Sequence, residues 1–206
     1  MSDKPITLAL TGASGAAYGL RLLECLLRAD RQVYLMLSKP AQMVIGMETD
    51  VKLPGRIQDI EEFFRARYQA KPARLRLLGT EQWTAAVASG SGAAHAMVIC
   101  PCSMATLSAV AVGASRGLIE RAADVMLKEQ RKLILVPRET PFSAIHLENM
   151  LKLARLGVTI LPGNPGFYHR PQGVNDLVDF IVARVLDHLD IPHTLVSRWG
   201  VKQGEE

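Results

Sequence analysis

The chain has 206 residues, of which 49% are hydrophobic, 21% charged and 5% aromatic, a composition typical of one globular domain with a well-buried core. The formal net charge is +4, but the Lys and Arg residues are scattered and no basic run is interleaved with aromatics, which argues against nucleic acid as a partner. No apolar stretch reaches the roughly 18 residues that a membrane helix needs, which argues against a membrane partner.

The N-terminal segment Met-Ser-Asp-Lys-Pro does not have the pattern of a signal peptide, and it leads into a strand predicted over Ile6–Leu10. A glycine loop at residues 11–15 follows, and an amphipathic helix begins near Ala16. The two glycines allow a close backbone approach to a ligand, and the helix N-terminus favours an anion. The spacing matches neither Gly-x-Gly-x-x-Gly nor the P-loop, which argues against a dinucleotide dehydrogenase and an ATPase. Ser14 suits helix capping and ligand contact equally.

A second strand is predicted over Gln32–Leu37, with Ser38 at its carboxyl end. The next residues, Pro40–Gly46, have the pattern of a helix. Helical spacing returns over Ile60–Tyr68, and Arg74–Leu78 is predicted as a short strand or sheet edge.

Trp83 opens a stretch rich in small residues, 83–94, which is either a flexible surface loop or a loop whose tryptophan lines a planar ring. A buried strand is then predicted over Ala96–Cys100, and a turn with small hydroxyl residues starts another helix. Within that turn, Ser103 and Thr106 either cap the helix or offer hydroxyl and N–H groups to phosphate and ribityl oxygens.

The three cysteines, Cys25, Cys100 and Cys102, lack the paired spacing of a zinc site or a disulfide framework, which favours a reducing cytoplasm. Cys102 could act as a nucleophile, but no histidine lies at a suggestive position near it, and packing is the preferred interpretation. The histidines lack the spacing of metal ligands, so no metal is predicted.

Residues 121–141 combine a helix, a buried strand and a charged loop. Arg121 opens the helix, Lys128 follows two turns later on the same side, and Leu133–Val136 is the strand. Arg138 lies just past the strand's carboxyl end, where open α/β sheets bind ligands. Three cations near one crevice would suit a phosphate, and the alternative for Lys128 is an ordinary solvated charge at the helix C-terminus.

After a further helix, the last strand is predicted over Val158–Leu161. A stiff loop with three prolines, 162–171, then carries Tyr168 past the carboxyl end of that strand. The final helix is predicted over Val174–Leu189, and Arg184 on it could be a plain solvated charge.

The alternation of strands and helices predicts an open, mostly parallel, doubly wound α/β sheet, a Rossmann- or flavodoxin-like three-layer sandwich. We expect a single domain over residues 1–206, with a C-terminal tail from about residue 190. The residues by themselves indicate a phosphorylated, planar ligand at the carboxyl ends of the strands.

Seven short motifs carry a family resemblance. They are Thr-Gly-Ala-Ser-Gly at 11–15, Glu-Thr-Asp at 48–50, Pro-Cys-Ser at 101–103, Arg-Ala-Ala-Asp-Val at 121–125, Leu-Lys-Glu at 127–129, Pro-Arg-Glu-Thr-Pro at 137–141 and Phe-Tyr-His-Arg-Pro at 167–171. Together, in this order, they resemble the UbiX-type flavin prenyltransferases of the flavoprotein superfamily. One local departure, Ser115-Arg116, touches no residue of the implied site.

The resemblance implies a metal-independent enzyme that transfers a dimethylallyl group from dimethylallyl phosphate to reduced FMN, closing a fourth ring across flavin N5 and C6. Its product, prenylated FMN, would serve UbiD-type decarboxylases, including one of ubiquinone biosynthesis. Members of the family are homo-oligomers, commonly dodecamers, with the active site between subunits.

The resemblance also implies roles for single residues. FMN would be bound by Gly12, Ala13, Ser14, Ser38, Ser103, Met104, Ala105, Thr106 and Arg138. Dimethylallyl phosphate would be bound by Tyr168, Arg184, Lys128, Arg121 and Glu139. The catalytic set would be Ser14, Glu48, Lys128, Glu139 and Trp83, with Glu48 managing charge and protons around N5 and Trp83 facing the prenyl group.

Two other functions stay open on the sequence. One is an FMN-dependent decarboxylase that acts directly on an aromatic acid. The other is a carrier that hands FMN to a partner without chemistry.

Overall fold

The structure, a computed structural model, describes residues 5–197. Its strands are β1 (Ile6–Leu10), β2 (Val33–Leu37), β3 (Leu75–Leu78), β4 (Ala96–Cys102), β5 (Lys132–Pro137) and β6 (Thr159–Ile160). Its helices are α1 (Ala16–Arg28), α2 (Lys39–Glu48), α3 (Ile57–Tyr68), α4 (Met104–Ala111), α5 (Leu118–Lys128), α6 (Ala144–Arg155) and α7 (Val174–His188).

The strands form one parallel sheet in the order β3-β2-β1-β4-β5-β6. The chain leaves β1 toward one edge through β2 and β3, and returns to the other side of β1 through β4. The reversal makes a crevice between the carboxyl ends of β1 and β4, the place where open α/β sheets bind ligands. The predicted doubly wound α/β fold is confirmed.

Helices cover both faces of the sheet. Alternate strand residues point to opposite faces, so Ile6 and Leu8 join one apolar core while Ala9 joins the other. Residues of α1, α2, α3 and α7 pack in the first core, and residues of α4, α5 and α6 pack in the second. The result is the predicted three-layer sandwich.

Several boundaries differ from the prediction. The second helix is longer than predicted: α2 continues to Glu48, which places that carboxylate at the end of a helix. The stretch 83–94 contains two short 3-10 turns, 86–88 and 90–92. Beyond residue 197 the predicted tail lies outside the described residues, and the single-domain assignment stays a prediction.

Within residues 5–197, no helix has the length and apolar character needed to cross a membrane.

Candidate functional site

Thr11 ties together the two strands that form the crevice. Its backbone nitrogen and its hydroxyl both donate to the carbonyl of Pro101, at 3.1 and 2.9 Å, and its Oγ1 accepts from the nitrogen of Ser103 at 2.8 Å. These bonds fix the loop after β1 against the loop after β4. Thr11 is a buried residue that the sequence interpretation passed over, although it opens the first motif.

The glycine loop wraps around the carboxylate of Glu48. Oε2 of Glu48 accepts from the backbone nitrogens of Gly15 and Ala16 at 2.8 and 2.9 Å. Gly15 has a φ of 105°, a conformation that other residues rarely adopt, and this turn aims both N–H groups at the carboxylate. The anion predicted at the start of α1 is therefore supplied by the protein itself.

Several donors around Glu48 favour its charged form. Burial acts to raise the pKa of Glu48, but hydrogen bonds from the Ser14 hydroxyl and from the backbone of Ala16 and Gly15, together with the charge of Arg138, leave this pKa below its ordinary value. Glu48 is therefore ionised at neutral pH and holds the exposed Ser14 side chain at the crevice.

Arg138 joins this cluster from the loop after β5. Its backbone nitrogen bonds to the carbonyl of Cys102 at 3.4 Å, and its Nε donates to the carbonyl of Ser14 at 3.3 Å. The neighbouring Glu139 accepts locally from the nitrogen of Thr140 at 3.1 Å. A carboxylate, a hydroxyl and a guanidinium from three separate elements thus meet at the switch point of the sheet.

Ser38 and Ser103 both cap helices. Ser38 Oγ accepts from the nitrogen of Ala41 at 3.1 Å at the start of α2. Ser103 Oγ accepts from the nitrogen of Thr106 at 3.3 Å and donates to its hydroxyl at 3.1 Å. The capping role that the sequence left open for Ser103 is therefore present, and Ser38 caps α2 although no such role was predicted for it. The N–H groups of Met104, in the first turn of α4, and of exposed Ala105 have no intrahelical acceptor.

The two cations of α5 make their contacts outside the cluster of Ser14, Glu48 and Arg138. Arg121 Nε donates to the carbonyl of Ala88 at 3.1 Å, and Lys128 pairs with Glu129 beside Gly90. Because α5 runs opposite to the strands, its last turn lies at the amino end of β5, while Arg138 follows the carboxyl end. The six-residue strand separates the two levels by about 20 Å. Lys128 and Arg138 therefore do not meet in the predicted crevice within one chain, whereas Arg121, near the start of α5, lies toward the carboxyl end.

Tyr168 and Arg184 line a third region, a cavity of about 410 Å³ beside α7. The ring of Tyr168 packs edge-on against Phe180, with centroids 5.7 Å apart. Arg184 lies one turn before His188, whose carbonyl accepts from Lys132 at the amino end of β5. Arg184 therefore also lies toward the amino edge of the sheet, away from Arg138 of the same chain.

Trp83 and Cys102, both discussed from the sequence, differ in solvent exposure. Trp83 lies after β3 and is 46% exposed, so it is available to a ligand or to a neighbouring subunit. Cys102 is completely buried, and burial raises the pKa of its thiol, which supports the packing interpretation over a nucleophile.

The sequence interpretation did not include two residues of these regions, the aromatic Tyr18 and the acidic Asp187. The ring of Tyr18 stands so close to the glycine loop that a Cβ on Gly15 would lie 2.8 Å from it. Asp187 binds Arg184 within the third region. The predicted roles of all these residues stay predictions, but their positions form three groups: the switch point, the α5 flank and the α7 cavity.

Among residues 5–197 there is no group of three His, Cys, Asp or Glu side chains that could hold a metal ion.

Comparison with known proteins identifies the family. Residues 1–186 match the Flavoprotein family model. The chain is 60% identical over 195 residues to the flavin prenyltransferase UbiX of Pseudomonas aeruginosa, with 95% of this chain and 93% of that protein covered. It is 48% identical to the enzyme of the same name from Alkalihalophilus pseudofirmus, with 96% and 97% covered.

Solved structures agree. AnUbiX (PadA1), in complex with FMN and dimethylallyl pyrophosphate, is 40% identical with a TM-score of 0.86, over 97% of this chain and 99% of that chain. A dodecameric FMN-dependent UbiX-like decarboxylase from Escherichia coli O157:H7 is 40% identical with a TM-score of 0.84, over 96% and 100%. The chain belongs to the Flavoprotein family and, within it, to the UbiX flavin prenyltransferases.

Proposed function

We propose that this protein transfers a dimethylallyl group from dimethylallyl phosphate to reduced FMN and releases prenylated FMN for decarboxylases of the UbiD type. The observation that carries the proposal is the meeting of Ser14, Glu48 and Arg138 at the switch point. The relatives named above support the same activity. A cytoplasmic location fits the three free cysteines.

The switch point has features that suit FMN. A Cβ on Gly12 would lie 2.4 Å from Cβ of Pro40, so the glycine loop lies directly against the first turn of α2. Helices α1, α2 and α4 all begin at this edge of the sheet, and helix N-termini favour phosphate. Because Glu48 already occupies the start of α1, the FMN phosphate belongs at α2 and α4. There Ser38, Ser103 and Thr106 carry the hydroxyls.

This placement of the phosphate brings the flavin ring toward Ser14, Glu48 and Arg138. Reduced FMN supplies the nucleophilic ring atoms of the reaction. The ionised Glu48 is suited to accept a proton from the flavin, and Ser14 is suited to pass it because its hydroxyl already donates to that carboxylate. Gly12, Ala13, Met104 and Ala105 contribute backbone to the binding surface.

In the proposed reaction the allylic C–O bond breaks without help from a metal. Positive charge must then stabilise the leaving phosphate, while an aromatic face shelters the developing allylic cation. Tyr168 and Arg184, with Lys128, Arg121 and Glu139, form the proposed phosphate site, and Trp83 is the proposed aromatic face.

A single chain holds these groups in three separate regions, so we propose that the site is completed between subunits. Exposed apolar side chains support burial against other copies: α6 presents Ile145, Leu147 and Leu151, and α2 presents Met43 and Met47. A homo-oligomer, with the dodecamer of the Escherichia coli relative as the expected form, would bring α5 and α7 of neighbours to each switch point.

Anaerobic incubation with reduced FMN and dimethylallyl phosphate, followed by mass spectrometry of the flavin, tests the function. The transferase adds one C5 unit. Unchanged FMN with release of carbon dioxide from an aromatic acid would instead show the direct decarboxylase, and unchanged FMN without either product would show the carrier.

A further inference from the structure

A chain of hydrogen bonds in the wall of the α7 cavity leads to Arg184. Nη1 of Arg184 donates to Oδ2 of Asp187, one turn further along the helix. Oδ1 of Asp187 lies 3.1 Å from Nε2 of His193. The His193 side chain is only 11% exposed, whereas that of Arg184 is 51% exposed. A largely buried imidazole therefore binds the carboxylate that holds an exposed guanidinium.

The tautomer of His193 follows from its other contact. The backbone nitrogen of Leu195 donates to Nδ1 of His193 at 3.4 Å, so Nδ1 acts as an acceptor. Nε2 is then the ring nitrogen that donates to Asp187. Asp187 accepts on both oxygens, and its orientation depends on the segment that follows α7.

Arg184 touches Asp187 through Nη1 alone. Within residues 5–197 this is the one hydrogen bond that Arg184 makes, which leaves its Nε–Nη2 edge open. That edge can bind two oxygens of a phosphate side by side. An unrestrained Arg would sample many rotamers, and pairing with Asp187 selects one.

We propose that Asp187, held by His193, is a positioning residue that fixes Arg184 with its open edge toward the phosphate of the allylic donor. This inference rests on the proposed function, in which Arg184 binds that phosphate. The carboxylate of Asp187 also repels a phosphate. The Asp187 side chain is 33% exposed, however, so solvent screens this electrostatic repulsion. The inference requires that the ordering of the guanidinium outweighs this repulsion.

Asp187→Asn tests the inference. The amide keeps the shape but offers one acceptor oxygen to two donors, so either Arg184 or His193 loses its bond. We expect the KM for dimethylallyl phosphate to rise about tenfold, the coupling typical of contacting residues, with kcat changed less than about twofold. In the Arg184→Ala background, Asp187→Asn should add less than about a twofold change.

Asp179→Asn is the matched control. Asp179 lies on the same helix and also binds an arginine, Arg21, at 2.7 Å, but outside the cavity. This control should leave the KM for the donor unchanged. An unchanged or lowered KM in Asp187→Asn would overturn the inference, as would an equal rise in Asp179→Asn or a full additional effect in the Arg184→Ala background.

Calorimetric titration with inorganic phosphate gives a test that needs no turnover. The wild-type protein should bind phosphate more tightly than Asp187→Asn and Arg184→Ala, and those two should be alike. Equal phosphate affinity of wild type and Asp187→Asn would contradict the inference even if FMN is prenylated. Failure of the wild type to prenylate FMN would contradict the proposed function alone.

Discussion

Glu48 Oε2 lies 2.9 Å from the backbone nitrogen of Ala16, so a carboxylate of the protein occupies the N-terminus of α1. In many nucleotide-binding sheets this position holds a phosphate of the ligand. Its occupation by Glu48 moves the expected phosphate to α2 and α4 and leaves an ionised carboxylate beside the proposed flavin ring.

Replacement of Glu48 by Gln should separate binding from chemistry. The amide keeps the side-chain shape but loses the charge and the capacity to accept a proton. We expect FMN affinity within about threefold of wild type and little or no prenylated FMN, measured by flavin fluorescence titration and mass spectrometry. Full product formation by Glu48→Gln would remove Glu48 from the mechanism.

The lowered pKa of Glu48 predicts a pH-dependent contribution to stability. The unfolded chain has the ordinary pKa of 4.5, and the folded value is lower, so ionised Glu48 stabilises the fold above about pH 4.5. That contribution is lost as pH falls through the folded pKa. The Tm difference between wild type and Glu48→Gln should therefore narrow below about pH 4.5. A difference that stayed constant from about pH 7 to about pH 3 would contradict this assignment.

Arg184→Ala should impair use of the allylic donor. Loss of a charge-assisted hydrogen bond costs about 1.5–3 kcal/mol, or roughly 10- to 150-fold in kcat/KM for dimethylallyl phosphate. FMN affinity should barely change. Arg184→Lys is the control, since it keeps the charge but loses the planar fork and should still weaken donor use measurably. Wild-type turnover by Arg184→Ala would show that Arg184 is a solvated charge.

The separation of Lys128 from Arg138 predicts complementation between subunits. Lys128→Ala and Arg138→Ala proteins should each be nearly inactive. In a mixed assembly of equal parts, about a quarter of the sites would receive an intact Lys128 from one copy and an intact Arg138 from another. Activity of about a quarter of wild type should therefore return. Native mass spectrometry verifies the mixing, and mixed assemblies without recovered activity would refute a shared site.

Two glycines on neighbouring elements should respond to Ala in opposite ways. Gly12→Ala places a methyl group 2.4 Å from Cβ of Pro40 and should destabilise the protein by about 1–3 kcal/mol. Gly46→Ala, inside α2 with nothing within 4 Å of the new Cβ beyond its chain neighbours and the backbone of its own helix, should stabilise it by about 0.5–1 kcal/mol. Unfolding at equal protein concentration measures both. A Gly12→Ala variant as stable as wild type would show that the loop does not press on α2.

Short apolar runs bounded by polar residues made the strands predictable. The choice between capping and ligand binding could not be settled from the sequence for Ser103, because a capping hydroxyl and a ligand-binding hydroxyl use the same residues at the same position. The position of Lys128 could have been predicted, since a helix that precedes a parallel strand must end at that strand's amino end. The contact between Asp187 and His193 could not have been predicted, because no periodic pattern specifies the path of the segment after α7.

The most direct test of prenyl transfer uses dimethylallyl phosphate deuterated in its two methyl groups. Under anaerobic conditions with reduced FMN, the flavin recovered from the wild-type protein should gain one C5 unit that retains all of the label. A flavin of unchanged mass, recovered while an aromatic acid loses carbon dioxide or while no reaction occurs, would contradict prenyl transfer as the function of this protein.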